Sequence, residues 1–424
     1  MKKSIILGLT VCAIIGLAAI SIVSCSSDIN TNNDSHFNDD GTLIKDSTES
    51  VFEIKQPSKV KFYVEVSGSM NGFFRANQPT DFKADLWRVI SYYSPIAPDI
   101  CVLTNNGNVG ATFDQGKFQT MMNTGAFVSS ASTKVPVMVQ TIINNLDAES
   151  GEVAVLVSDM KYSPVGAAAP AVLMTQYSTD ISNIIGKYGK TVSLICATSN
   201  YLDKLGIEVC PKSPYYYFII GNQEQVAEVR NGISALLYMS DHFVDNIESG
   251  FDYGHASHSF GISNRCQQLD DEPTFLEYEE PEDGDTCTIK LKVDLENYRW
   301  LLTEKHYFSE AFKASVKYGS EIKIGNVDID VQSITADTRE LKRKVTATVE
   351  LKVFNMATDS EVIEWNLELP NTDYTLLNQF FDGAVSEDDP SKSYSVLDFV
   401  KGMFQGSVVT KNLSPNYILI SKKG

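Results

Sequence analysis

The sequence predicts an α/β protein: a mostly parallel sheet flanked by helices, followed by a β-rich, sandwich-like region. Three observations predict it. Up to about residue 248, short apolar runs of strand character alternate with runs of helical spacing. From about residue 249 onward the pattern shifts to a period of two. Between them in weight stands KFYVEVSGSMNGFF, residues 61–74, where an apolar alternation stops at a cluster of small hydroxyl residues. Such a loop suits the carboxyl end of a strand in an open α/β sheet, the edge at which ligands bind.

Residues 1–25, MKKSIILGLTVCAIIGLAAISIVSC, carry two lysines, an apolar run from Ser4 to Val23 and a small residue ahead of Cys25. That is the layout of a cleaved export signal. Its end, with Ile22 three residues before the cysteine, resembles the lipobox of bacterial lipoproteins. The resemblance implies that Cys25 becomes a lipidated N-terminus holding the protein to a membrane; an uncleaved anchor is the alternative that the length permits. Either way the chain is expected in the cell envelope, and the lipoprotein reading puts it at the outer membrane, on the periplasmic face or the cell surface. Residues 26–57, rich in Ser, Asn, Asp and Thr, read as a flexible tether. The early acids Asp28, Asp34, Asp39 and Asp40 resemble the acidic tracts of surface-exposed Bacteroidetes lipoproteins, although a plain soluble linker has the same composition.

An α/β domain is expected over residues 58–248. Phe62, Val64 and Val66 alternate with Tyr63 and Glu65 as a buried strand. Residues 80–93 space Phe82, Leu86, Val89 and Ile90 as a helix, with Thr80 and Asp81 as caps. ICVLT and VGATF flank Asn105-Asn106-Gly107-Asn108, a hairpin signal. Then come a helix over 135–146, a strand over 153–157, a helix around 168–188, strands over 191–197 and 215–221, and a helix over 224–237. Residues 249–424 are expected to form a β-rich domain. Its strands are CTIKLKVDL, SEIKIGNVDIDVQSI, KRKVTATVELKVF, EVIEWNLELP and NYILIS, and its helices are HYFSEAFKASVKY and SYSVLDFVKGMF.

The chemistry concentrates at the first strand's end. Glu65, Ser67 and Ser69 offer one carboxylate and two hydroxyls, an oxygen-only set that suits a hard cation. The run EVSGSM resembles the DxSxS signature of von Willebrand factor A domains, whose metal-ion-dependent adhesion site adds a Thr from a second loop and an Asp from a third. Candidates follow in that order: Thr133 (or Ser132) ahead of a helix, and Asp159 at the end of EVAVLVSDM. The resemblance covers about 190 residues and implies a divalent cation (magnesium, manganese or calcium) held by Glu65, Ser67, Ser69, Thr133 and Asp159. It also implies an antiparallel edge strand where the hairpin signal falls. Glu65 departs from the family's Asp by one methylene, about 1.5 Å.

Composition bounds the partners. The formal charge is −19, and more negative still once Lys2 and Lys3 leave with the signal. Nucleic acid is thereby disfavoured, since phosphate contacts need basic patches. His255 and His258 form an HxxH pair near Asp252 that lacks a further ligand in register. Five cysteines lie beyond the signal, with Cys196–Cys210 and Cys266–Cys287 as sequence-local pairings. There is no GxSxG elbow, HExxH or P-loop. The expected function is therefore a lipid-anchored binding or scaffold protein that captures a protein or acidic ligand, with or without a cation. A metal-dependent hydrolase using the same carboxylates and hydroxyls is the alternative, and loop capping by those hydroxyls is the plainest reading.

Overall fold

In the computed structural model, which describes residues 34–38, 42–44 and, with interruptions, 54–423, the alternation around Phe62 becomes β1 (Lys59–Glu65). It is an inner strand of a seven-stranded sheet ordered β3-β2-β1-β4-β6-β5-β7. The others are β2 (Asp99–Leu103), β3 (Val109–Phe113), β4 (Glu152–Ser158), β5 (Thr191–Leu202), β6 (Glu208–Gly221) and β7 (Phe243–Ser249). β1 pairs in parallel with β2 and β4. The hairpin partner β3 runs antiparallel to β2 at the sheet edge, as the turn signal implies.

Beyond β4 the sheet departs from the mostly parallel expectation. β6 lies between β4 and β5 and is antiparallel to both, and β7 is antiparallel to β5. The reason is local: β5 runs straight into β6 through a tight turn in which the Ile207 carbonyl accepts from Asp203 N–H. Strands joined that way must be antiparallel, whereas a parallel neighbour needs a crossover. β1, β2, β4 and β5 nevertheless point the same way, so their carboxyl ends share one edge.

Helices cover both faces. α1 (Asp81–Tyr92) is capped by Thr80, whose hydroxyl accepts from Lys83 N–H at 3.3 Å. α2 (Gln115–Thr124), which the sequence reading did not anticipate, starts at the Asp114 cap and ends at Gly125. α3 (Val135–Asn144), α4 (Pro170–Tyr188) and α5 (Gln223–Met239) fall where the spacing put them. One face packs Phe62, Val64, Val155 and Tyr217 beneath Leu86 and Ile90 of α1 and Ile233 of α5. The other packs Tyr63, Leu156 and Phe218 beneath Val139 of α3 and Tyr177, Ile181 and Ile185 of α4.

That second face is completed by a late element. α6 (Val396–Gly406) lays Phe399, Val400 and Met403 into the same cluster and runs against α4. The close approach depends on glycine: a Cβ at Gly402 would lie 2.4 Å from the Ser178 carbonyl oxygen, and one at Gly406 2.5 Å from that of Ser182.

The remaining strands form two further sheets. One has five strands ordered β12-β15-β16-β10-β9: β12 (Phe312–Val316), β15 (Ser360–Leu367), β16 (Asn416–Lys422), β10 (Phe275–Tyr278) and β9 (Cys266–Gln268). The other has four, ordered β13-β14-β11-β8: β13 (Glu321–Val331), β14 (Val345–Phe354), β11 (Thr286–Asp294) and β8 (His258–Phe260). Their apolar residues, among them Leu291, Val349, Trp365 and Ile418, join one buried cluster that continues into the first sheet's α1/α5 face. Residues 312–316, expected to be helical, are instead the strand β12. Phe312 stacks on Trp365 at 5.2 Å, and Ala314 and Val316 fall on the same side, so period two overrides the helical spacing.

The span read as a flexible tether carries a docked segment. Phe37 is buried with Phe275, Val362 and Leu419, and Phe37 bridges to Leu43. Asp34 accepts from the Tyr318 hydroxyl at 2.8 Å and meets the Lys317 ammonium at 3.4 Å.

Candidate functional site at the carboxyl edge of the sheet

Register decides which side chains meet. Val64 lies opposite Val157 in the parallel pair β1/β4, so Glu65 and Ser158 end side by side. Glu65 is fully buried, and the Ser158 hydroxyl donates to its Oε2 while accepting from Met160 N–H at 2.7 Å. Met160 has φ 55°, a left-handed conformation that residues with a Cβ seldom adopt. The chain therefore bends sharply just after Asp159.

Asp159 is the group that local structure leaves unsatisfied. Its Oδ1 accepts from Lys161 N–H at 3.2 Å, while Oδ2 is buried with no hydrogen-bond partner among the described residues. A buried carboxylate oxygen in that state is costly and native structures seldom keep one without use. On the neighbouring loop the hydroxyls of Ser67 and Ser69 are 2.9 Å apart, Ser67 buried and Ser69 half-buried. Tyr201, at the end of β5, fixes this loop by donating its hydroxyl to the Ser69 carbonyl at 2.8 Å. Its ring occupies the space over Gly72, where a Cβ would come within 2.2 Å of it.

Of the five ligands that the motif implies, Glu65, Ser67, Ser69 and Asp159 thus stand at the carboxyl ends of β1 and β4. Thr133, its alternative Ser132, and the lipidation residue Cys25 lie outside the described residues. The donor set suits a hard cation in part. Asp159 Oδ2 and the two hydroxyls are oxygens without a competing positive side chain in their described hydrogen bonds. Glu65 Oε2, by contrast, is engaged by Ser158, so it fits a supporting position better than a direct one. The described residues hold no cluster of three or more His, Cys, Asp or Glu able to bind a metal, so a cation here depends on the hydroxyls. His258 of the HxxH pair sits edge-on to Trp365 at 5.2 Å, inside the β-rich half.

Several parts of this edge had no signal in the motif. Ser158 reads as an ordinary strand end, and its partner Glu65 is 93 residues away. Lys161 donates to the Asp389 carbonyl at 2.8 Å and Tyr162 N–H to Ser395 Oγ at 3.3 Å, so residues 389–395 lean on the loop after β4. Tyr216 donates to Ser393 Oγ at 2.9 Å. Burial pushes the hydroxyls of Tyr177 and Tyr216 well above their usual range, with Tyr162 and Cys196 respectively adding to it, so both stay neutral. Past Tyr201, the β5/β6 turn presents Leu205, 81% exposed, and Ile207, 58% exposed. Gly206 of this turn faces the Gln78 side chain, in the segment that leads into α1.

A separate polar cluster braces the opposite face. Asp85 of α1 is buried and accepts from Tyr215 at 2.9 Å, while His242 Nδ1 lies 2.6 Å from the same oxygen. Ser240 and Arg88 occupy its other oxygen at 3.1 and 3.2 Å. With both carboxylate oxygens engaged, the cluster ties α1 to the end of α5.

A scan against protein-family models finds no match for this chain, and comparisons with curated proteins and with solved structures return none.

Proposed function

We propose that this chain is a lipid-anchored binding protein of the cell envelope whose recognition surface is the carboxyl edge of the seven-stranded sheet. On this reading the edge is von Willebrand factor A-like, and a divalent cation at Ser67, Ser69 and Asp159 captures an acidic group of a protein or ligand. The observation that carries it is the buried, unpartnered Asp159 Oδ2 on the loop next to the Ser67/Ser69 hydroxyl pair. The β3-β2-β1-β4 order with an antiparallel β3 supports it. When bound, the ion would offer an open coordination position that a partner carboxylate completes. Ser67 and Ser69 would supply neutral oxygens, Asp159 the offsetting charge, and Glu65 would hold the β4 end in place through Ser158. Of the hydrolase alternative, the form with a serine nucleophile lacks comparable support, since among the described residues Ser67 Oγ meets Ser69 Oγ and no base; a metal-dependent hydrolase would draw on the same cation site.

Titration calorimetry with magnesium and with manganese tests the reading. Wild type should bind, Asp159→Ala should bind at least tenfold more weakly with an unchanged circular dichroism spectrum, and Glu65→Asp should retain binding. Absence of heat in all three folded proteins would remove the cation and leave a metal-free recognition edge. For the anchor, Cys25→Ala should move the protein out of the membrane fraction; retention there after signal cleavage would refute lipidation.

A further inference from the structure

The fold sorts the five cysteines beyond the signal. Cys196 stands opposite Tyr216 and Cys210 opposite Tyr201 on one hairpin, so they are on the order of 20 Å apart along the ladder at about 3.4 Å per residue. A disulfide spans Cα atoms about 4.4–6.8 Å apart, which excludes that pairing. Cys101 is buried in β2 and its thiol contacts Thr112 at 3.6 Å. Cys266 and Cys287 are different: their sulfurs are 2.9 Å apart, less than one ångström beyond a bonded S–S length of about 2.05 Å. Cys266 opens β9 in the five-stranded sheet, and Cys287 is the second residue of β11 in the four-stranded sheet.

We propose that Cys266 and Cys287 form a disulfide that staples the two sheets of the β-rich half and encloses the acidic stretch DDEPTFLEYEEPEDGD, β10 included, in one covalent ring. The oxidant is a protein or small-molecule disulfide of the exported compartment. Cys266 is the more exposed thiol, whereas the thiol of Cys287 is pushed up by its hydrogen bond to Cys266 and by burial. Cys266 therefore attacks first, as a thiolate, forming a mixed disulfide and expelling one thiolate of the oxidant. Cys287 then loses its proton, attacks the Cys266 sulfur and expels the second. The two cysteines give up two protons and two electrons, and the oxidant leaves as two thiols. The staple is independent of the sheet-edge reading.

Peptide mapping of the full chain, purified after export and denatured with an alkylating agent but no reductant, tests this. The expected result is alkylation at Cys101, Cys196 and Cys210, with the Cys266 and Cys287 peptides recovered as one species that reduction separates. Alkylation of both sulfurs in the exported chain, or a linked species containing Cys101, Cys196 or Cys210, would overturn it. The bracing role has its own readout: reduction should lower the melting temperature of the wild type by several degrees, and Cys287→Ser should melt with the reduced protein. Equal melting of oxidised and reduced wild type would sink that role.

Discussion

Ser158 gives its hydroxyl hydrogen bond to the Glu65 carboxylate, and these two residues end the adjacent parallel strands β4 and β1. The same hydroxyl accepts from Met160 N–H, so one side chain links a buried acid to the left-handed turn that follows Asp159. Replacing it by alanine strips a donor from a buried carboxylate and an acceptor from a buried amide. The expected cost is about 2 kcal/mol, the scale of an unsatisfied buried polar group. Urea denaturation of Ser158→Ala checks it; a loss under about 0.5 kcal/mol would mean that Glu65 is held by other groups.

Asp34 anchors the docked N-terminal segment through its charge. Burial alone would raise its pKa. The His36 backbone N–H, the Tyr318 hydroxyl, the His36 ring and the Lys317 ammonium outweigh that and hold it down at about 2, from an ordinary 3.8. The folded value is the lower one, so the contribution to docking is fully present above pH 3.8 and is lost as pH falls toward about 2. Asp34→Asn should release the segment at neutral pH. Amide exchange at Asn38 and Ile44, which bond to Thr42 and His36 across the bridge, reads this directly. Unchanged protection in the variant would show that Phe37 holds the segment alone.

Much of the seven-stranded sheet was legible because burial imposes a period: Val60, Phe62 and Val64 can lie on one face only as a strand. The Thr80 cap and the β2/β3 hairpin were legible because turn and cap chemistry is local. The true length of β5 was not, since Thr198, Ser199 and Asn200 look like a strand end. In the fold the last two serve α1, Ser199 Oγ accepting from Phe82 N–H at 2.8 Å and Asn200 Oδ1 from Asp81 N–H at 2.9 Å. A polar run that caps a distant helix cannot be told from a loop by its own sequence. The insertion of β6 beside β4 followed from that longer hairpin and was missed with it. At the candidate site, Glu65, Ser67 and Ser69 stand out in the sequence as a strand-end loop and Asp159 only through the resemblance to the DxSxS signature, while the Ser158 link and the Tyr201 clamp depend on contacts 93 and 132 residues apart.

Cutting the chain at residue 249 tests how far the first sheet stands alone. Its own helices would leave Tyr177, Ile181 and Phe218 without the α6 residues that cover them. A 58–249 fragment should therefore melt less cooperatively and at lower temperature than the same region in the intact chain. A synthetic peptide of residues 389–407 should raise that melting temperature in a saturable way. A fragment indifferent to the peptide would show that α3 and α4 suffice for this face.

Gly402 sets the distance between α4 and α6, and two effects oppose each other when a methyl group is added there. Alanine is the better helix former by about 1 kcal/mol. Against that, its Cβ would stand 2.4 Å from the Ser178 carbonyl oxygen and 2.8 Å from Ile181 Cβ, so the first obstacle is backbone and cannot rotate aside. Overpacking of this kind costs about 1–3 kcal/mol, and the rigid neighbour puts this site at the upper end. Separating the helices would also loosen Phe399 and Val400 in the shared cluster, so the clash wins. Gly402→Ala should lower stability by about 1–2 kcal/mol and raise amide exchange along both helices. Lys401→Ala, on the same helix with a half-exposed side chain, controls for propensity and should be neutral or slightly stabilising. If both variants behave alike, α6 does not press on α4 and the late helix is not part of the first sheet's core.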